Sequence, residues 1–153
     1  MKTNPKPKAR KTQKQEMEDL VALLKKWQGL EVKGIAFLNE LQHKTENKVL
    51  KEVLEIIKQD SGQHRRVQQF IIDGLTKEAY TLTPEEVGEV WKELDKHDEL
   101  EQATIDMAGE ACRKTNSSVA RYMLGYLLAD EEKHHRMLTA LEDVKRSLYP
   151  YGW

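Results

Sequence analysis

Residues 94–136 read LDKHDELEQATIDMAGEACRKTNSSVARYMLGYLLADEEKHHR, and residues 24–66 read LKKWQGLEVKGIAFLNELQHKTENKVLKEVLEIIKQDSGQHRR. Laid over one another at a shift of 70, without a gap, they agree at Leu24/Leu94, Leu30/Leu100, Glu31/Glu101, Ile35/Ile105 and Glu40/Glu110. They agree again at Lys44/Lys114, Thr45/Thr115, Val49/Val119, Leu54/Leu124, Asp60/Asp130, His64/His134 and Arg66/Arg136. The identities continue across a short polar break between two helical runs. One helical hairpin is therefore written twice, and the expected fold is all-α: a four-helix bundle of two repeated hairpins related by a pseudo-two-fold axis.

Working outward from the repeat, four helices are expected. The first spans about Gln15 to His43. The second spans about Glu46 to Ile72, with Asp73-Gly74 as a stop signal. The third has the clearest start, because Thr83-Pro84-Glu85-Glu86 joins an N-cap threonine, a proline at the first helical position and a capping-box glutamate. It runs to about Arg113. Asn116-Ser117 opens the fourth and Tyr149-Pro150 closes it. Helices of this length, ~40–45 Å at 1.5 Å per residue, are usual in bundles.

Bulk composition agrees. The chain has 153 residues, enough for one core. Charged residues reach 33% against 39% hydrophobic, the balance of long helices with one apolar stripe and a wide solvated face. The single cysteine, Cys112, permits no intrachain disulfide and fits a cytoplasmic setting. No apolar run reaches the ~18 residues of a membrane span, and no signal-peptide pattern opens the chain. The formal charge of −1 conceals an asymmetry: residues 1–14 carry Lys2, Lys6, Lys8, Arg10, Lys11 and Lys14 and no acid. Residues 1–14 are expected to be a disordered basic arm, residues 15–148 the bundle, and residues 149–153 an aromatic tail with Tyr149, Tyr151 and Trp153. The arm is either a solubilising tail or a segment that touches nucleic acid electrostatically.

On a helical wheel, polar residues fall where apolar ones are expected. Leu20, Leu24, Trp27, Ile35 and Leu38 define the stripe of the first helix, with Glu31 inside it. Val49, Val53, Ile56, Ile57, Val67 and Ile71 define the second, with Asp60 and His64 near its centre. Val90, Leu94, Ile105, Ala108 and Cys112 define the third, with Glu101 inside it. In the fourth, Asp130 and His134 lie on the centre set by Met123, Leu127, Met137 and Leu141, and Glu131 lies at its edge. Buried carboxylates without partners cost several kcal/mol, and converging acids repel. A divalent or trivalent cation removes both penalties, since carboxylate and imidazole are its natural ligands. The competing explanation is a buried hydrogen-bonded network. Candidate metal ligands are Glu31, Asp60, His64, Glu101, Glu131 and His134. His97, one turn before Glu101, either supports a ligand by hydrogen bonding or is an ordinary core histidine. His43 reads as a helix C-terminal cation, and Cys112 as a small core residue.

The segment Leu128-Ala129-Asp130-Glu131-Glu132-Lys133-His134-His135 resembles the E-x-x-H segment of the rubrerythrins and other ferritin-like proteins, and Glu31-x-x-Gly34-x-x-Phe37 resembles their first-helix segment. The resemblance implies a di-iron or di-manganese carboxylate site built from a glutamate on each of two helices and E-x-x-H on the other two. The glutamate-to-histidine spacing is 33 in both halves, Glu31 to His64 and Glu101 to His134. Two departures stand out. Ser61 occupies the position three before His64, breaking the first E-x-x-H, which points to two ions, one, or none. The fourth helix also offers a second register, Glu132 with His135. The wheel and the repeat favour Glu131 with His134. No C-x-x-C pair is present, so the rubredoxin-like domain of full rubrerythrins is absent and an electron donor must be external.

Three functions compete. The resemblance implies a di-metal oxidoreductase that oxidises ferrous iron or reduces peroxide or dioxygen. Ser61 supports instead a protein that binds or stores metal without turnover. The basic arm and aromatic tail support a structural module that meets nucleic acid or a protein partner. A homo-oligomer, a dimer, is expected. Residues 73–83 give about 36–40 Å of extended chain. That barely covers a ferritin-type crossover, so crossover, short up-down link and a swap of hairpins between two chains all stay open.

Overall fold

A computed structural model of the protein describes residues 11–148. The chain is all-α, with helices α1 (Gln13–His43), α2 (Lys48–Thr76), α3 (Pro84–Lys114) and α4 (Ser118–Leu148), and no strand among the described residues. No helix is long and apolar enough to cross a membrane. The helices form two compact units: α1 packs on α2, and α3 packs on α4, with the boundary between Tyr80 and Thr81. Each unit is a helical hairpin, the repeat expected from sequence.

The turns are built on the same plan in both hairpins. Thr45 Oγ1 accepts the amide of Asn47 at 3.1 Å, and the Asn47 side chain then accepts the amides of Val49 and Leu50 at the start of α2. In the second hairpin Thr115 Oγ1 accepts the amide of Ser117 at 3.2 Å, and Ser117 Oγ accepts that of Ala120. A threonine two residues before the cap thus fixes the turn, and a short polar cap satisfies the first free amides of the helix. Helix α3 starts as the sequence indicates, with a reciprocal capping box between Thr83 and Glu86.

Two boundaries differ from expectation. Helix α1 starts at Gln13, capped by Thr12 in a box with Gln15, so it takes in the end of the basic arm. Lys11 is drawn to Asp19 of the same helix. Residues 1–10 of the arm and the tail 149–153 lie outside the described residues. The second correction concerns Gly74. It does not stop α2, which continues to Thr76. A Cβ at Gly74 would stand 2.8 Å from the Tyr80 ring, and that ring stacks on Phe70 with centroids 4.2 Å apart. The glycine makes room for the link to fold back, at a cost of about 1 kcal/mol in helix propensity.

Two helices share only one seam, so little of either hairpin is enclosed. Leu24, Ile72 and Gln68 are buried in the first, and Glu101 in the second. Leu30 and Phe37 remain 59% exposed and Leu100 62%, on faces beside the apolar stripes, and Met137, within its stripe, is 64% exposed.

Candidate metal centre

Helix α3 presents Glu101 to α4, where Glu131 and His134 sit one turn apart on the same face. One donor atom from each of the three lies within 4.8 Å of the others, the one such three-group cluster among the described residues. His134 Nδ1 stands 3.5 Å from Glu101 Oε2 and 3.7 Å from Glu131 Oε2. These separations exceed the ~2.7–3.2 Å of an N–H···O hydrogen bond. They match donors around a shared ion: with metal–ligand bonds of about 2.0–2.2 Å, neighbouring donors fall roughly 3–4 Å apart.

Glu101 carries an energetic anomaly, as Gln68 does in the first hairpin with both of its buried amide atoms unpartnered. Glu101 is 6% exposed, and its Oε2 is buried with no hydrogen-bond partner. Its other oxygen, Oε1, pairs with His97 Nε2 at 2.9 Å. An unsatisfied buried carboxylate oxygen costs more than a neutral one, because the group is charged. A cation beside Oε2 would relieve that cost. Thr104, one turn after Glu101, lies 2.8 Å from the Glu101 carbonyl and 3.2 Å from Glu131 Oε2, and its single hydroxyl hydrogen can serve either. Leu100, Met137 and Leu138 complete a cleft of about 550 Å³ with these polar groups.

The neighbouring register is arranged differently. His135 Nδ1 lies 2.7 Å from Asp98 Oδ1, a closed hydrogen-bonded pair across the hairpin. Glu132 is exposed. Asp130 is held by Lys133 and stands 3.8 Å from His134 Nε2.

In the first hairpin Glu31 and His64 meet as their counterparts do, Nδ1 to Oε1 at 3.3 Å. Trp27 Nε1 donates to the same Oε1 at 3.0 Å. Asp60 is exposed and forms no three-donor group with Glu31 and His64. Ser61 stands where Glu131 stands in the repeat, and Gly34 where Thr104 stands. Four of the six candidates are therefore paired like for like, Glu131 adds a third donor to one pair, and Asp60 joins neither. Thr104 and Asp98 were not singled out from sequence. The available signal was position alone, three residues either side of Glu101 on the same helical face.

Compared with protein-family models, curated proteins and solved structures, the chain matches none.

Proposed function

We propose that this chain is a metal-binding protein of the ferritin-like kind, in which α3 and α4 hold a transition-metal ion through Glu101, Glu131 and His134. The observation that carries the reading is the buried Oε2 of Glu101, which lacks a hydrogen bond and faces an imidazole and a second carboxylate. The donor set fits: two carboxylates neutralise a divalent charge, and one imidazole suits iron, manganese or zinc. Iron or manganese held there would supply electron-transfer chemistry toward dioxygen or peroxide. Glu101 and Glu131 set the charge, and the Thr104 hydroxyl, when turned to Glu131, steadies its carboxylate.

One observation favours holding the ion over turning it over. The first hairpin contributes two donors, Glu31 and His64, because Ser61 replaces the third. A second ion there would have fewer ligands and weaker binding.

Metal analysis of natively purified protein tests the reading. About one ion of iron, manganese or zinc per chain is expected, with the content lost in His134→Ala. A metal-free wild-type protein that also ignores added cobalt(II) overturns it. Dioxygen uptake on adding ferrous iron anaerobically prepared separates turnover from holding.

A further inference from the structure

We propose that His97 is a positioning residue, not a ligand: its ring N–H holds one oxygen of Glu101 so that the other faces the cation. The proposal rests on the metal reading above. Three observations carry it. First, the two oxygens of Glu101 are already divided. Oε1 pairs with His97 Nε2 at 2.9 Å, and Oε2 is turned toward His134 and left without a hydrogen bond. Second, His97 lies outside the three-donor cluster formed by Glu101, Glu131 and His134.

Third, the other hairpin contains the same device made from a different residue. Trp27 occupies the place of His97 seventy residues earlier, and its Nε1 lies 3.0 Å from Glu31 Oε1. An indole nitrogen donates and cannot coordinate a cation through a lone pair. What the two halves share at this place is a ring nitrogen one turn before the glutamate, 2.9 Å from its oxygen in one half and 3.0 Å in the other, and in the first half that nitrogen cannot bind a metal. The halves differ in what reaches the second oxygen. In the first hairpin His64 approaches the oxygen that Trp27 already holds, at 3.3 Å. In the second, His134 approaches the oxygen that His97 leaves open. A carboxylate held at one oxygen loses the freedom to swing away from the ion, which is how outer hydrogen bonds strengthen metal sites.

The test uses the full chain with cobalt(II), read by its visible absorption and by calorimetric titration. His97→Phe keeps an aromatic ring and removes the donor, and should weaken cobalt(II) binding about 10–100-fold. His97→Trp supplies the donor found in the first hairpin and should bind within about threefold of wild type, with the same absorption spectrum. Equal weakening by Phe and Trp would overturn the proposal and make His97 a ligand. Wild-type binding by His97→Phe would overturn it and leave His97 without a role. A wild-type chain that ignores cobalt(II) defeats the metal reading, and this proposal with it. Helicity by circular dichroism confirms that each variant is folded before it is scored.

Discussion

Ser61 and Glu131 occupy equivalent places in the two hairpins, and their difference decides how many ligands each can offer. Glu131 brings a carboxylate oxygen to within 3.7 Å of His134. Ser61 offers a short neutral hydroxyl in the half where Glu31 and His64 already meet. Ser61→Glu should therefore add a cobalt(II) equivalent in calorimetric titration, moving the count from about one to about two per chain. No change in stoichiometry would show that the first hairpin lacks more than this one ligand. The neighbouring histidines give a sharper contrast. His135 is engaged with Asp98 in a 2.7 Å bond, whereas His134 faces two carboxylates from beyond bonding distance. His134→Ala should weaken cobalt(II) binding more than about tenfold, and His135→Ala should leave it nearly unchanged. The reverse result would move the site to Glu132 and His135.

At the scale of an element, α3 and the end of α2 show how the helices are bounded. The Glu86 carboxylate is held below the usual glutamate range, first by the Thr83 amide and then by the Thr83 hydroxyl. A depressed carboxyl contributes stability above its ordinary pKa and loses it as pH falls through the lowered value. Helix α3 should accordingly begin to fray only in acid below the ordinary glutamate range, as amide exchange at its first turn would report. Thr83→Ala removes the hydroxyl that accepts from the Glu86 amide and donates to its carboxylate, keeps the backbone amide's bond to that carboxylate, and should destabilise the second hairpin by about 1 kcal/mol in urea unfolding. Gly74 is a different case. In an unobstructed helix Gly→Ala stabilises by up to ~1 kcal/mol. Here the new methyl meets the Tyr80 ring, which is stacked on Phe70. Gly74→Ala should be neutral or destabilising alone and stabilising in a Tyr80→Ser background. A double-mutant cycle with no coupling would show that the link moves aside without cost.

For the molecule as a whole, a ligand that binds the folded state alone adds stability by mass action. At a free cobalt(II) concentration a hundred times its dissociation constant, the gain is about 2.7 kcal/mol. Thermal unfolding should therefore shift upward with cobalt(II) in the wild type and by about half as much or less in His134→Ala at the same concentration. A full wild-type shift in the variant would place the ion elsewhere.

The sequence by itself determined the helices, their repetition and the residues that bear chemistry. A 3.6-residue apolar period, start signals at Thr83 and Asn116-Ser117 and identities across Thr45 and Thr115 are local signals. They act within a few residues of where they are read. The like-for-like pairs Glu31–His64 and Glu101–His134 were also legible, because a hairpin with a fixed turn sets which residues face each other. The tertiary structure decided the rest. A wheel gives a direction and no distance, so it could not separate Asp60, which stays exposed, from Glu131, which closes on His134. Nor could it show that Glu101 has one oxygen held and one left bare, or that Gly74 yields to a tyrosine six residues on. Those outcomes depend on side-chain torsions and on contacts between segments distant in sequence. Such contacts exist only once the helices have packed.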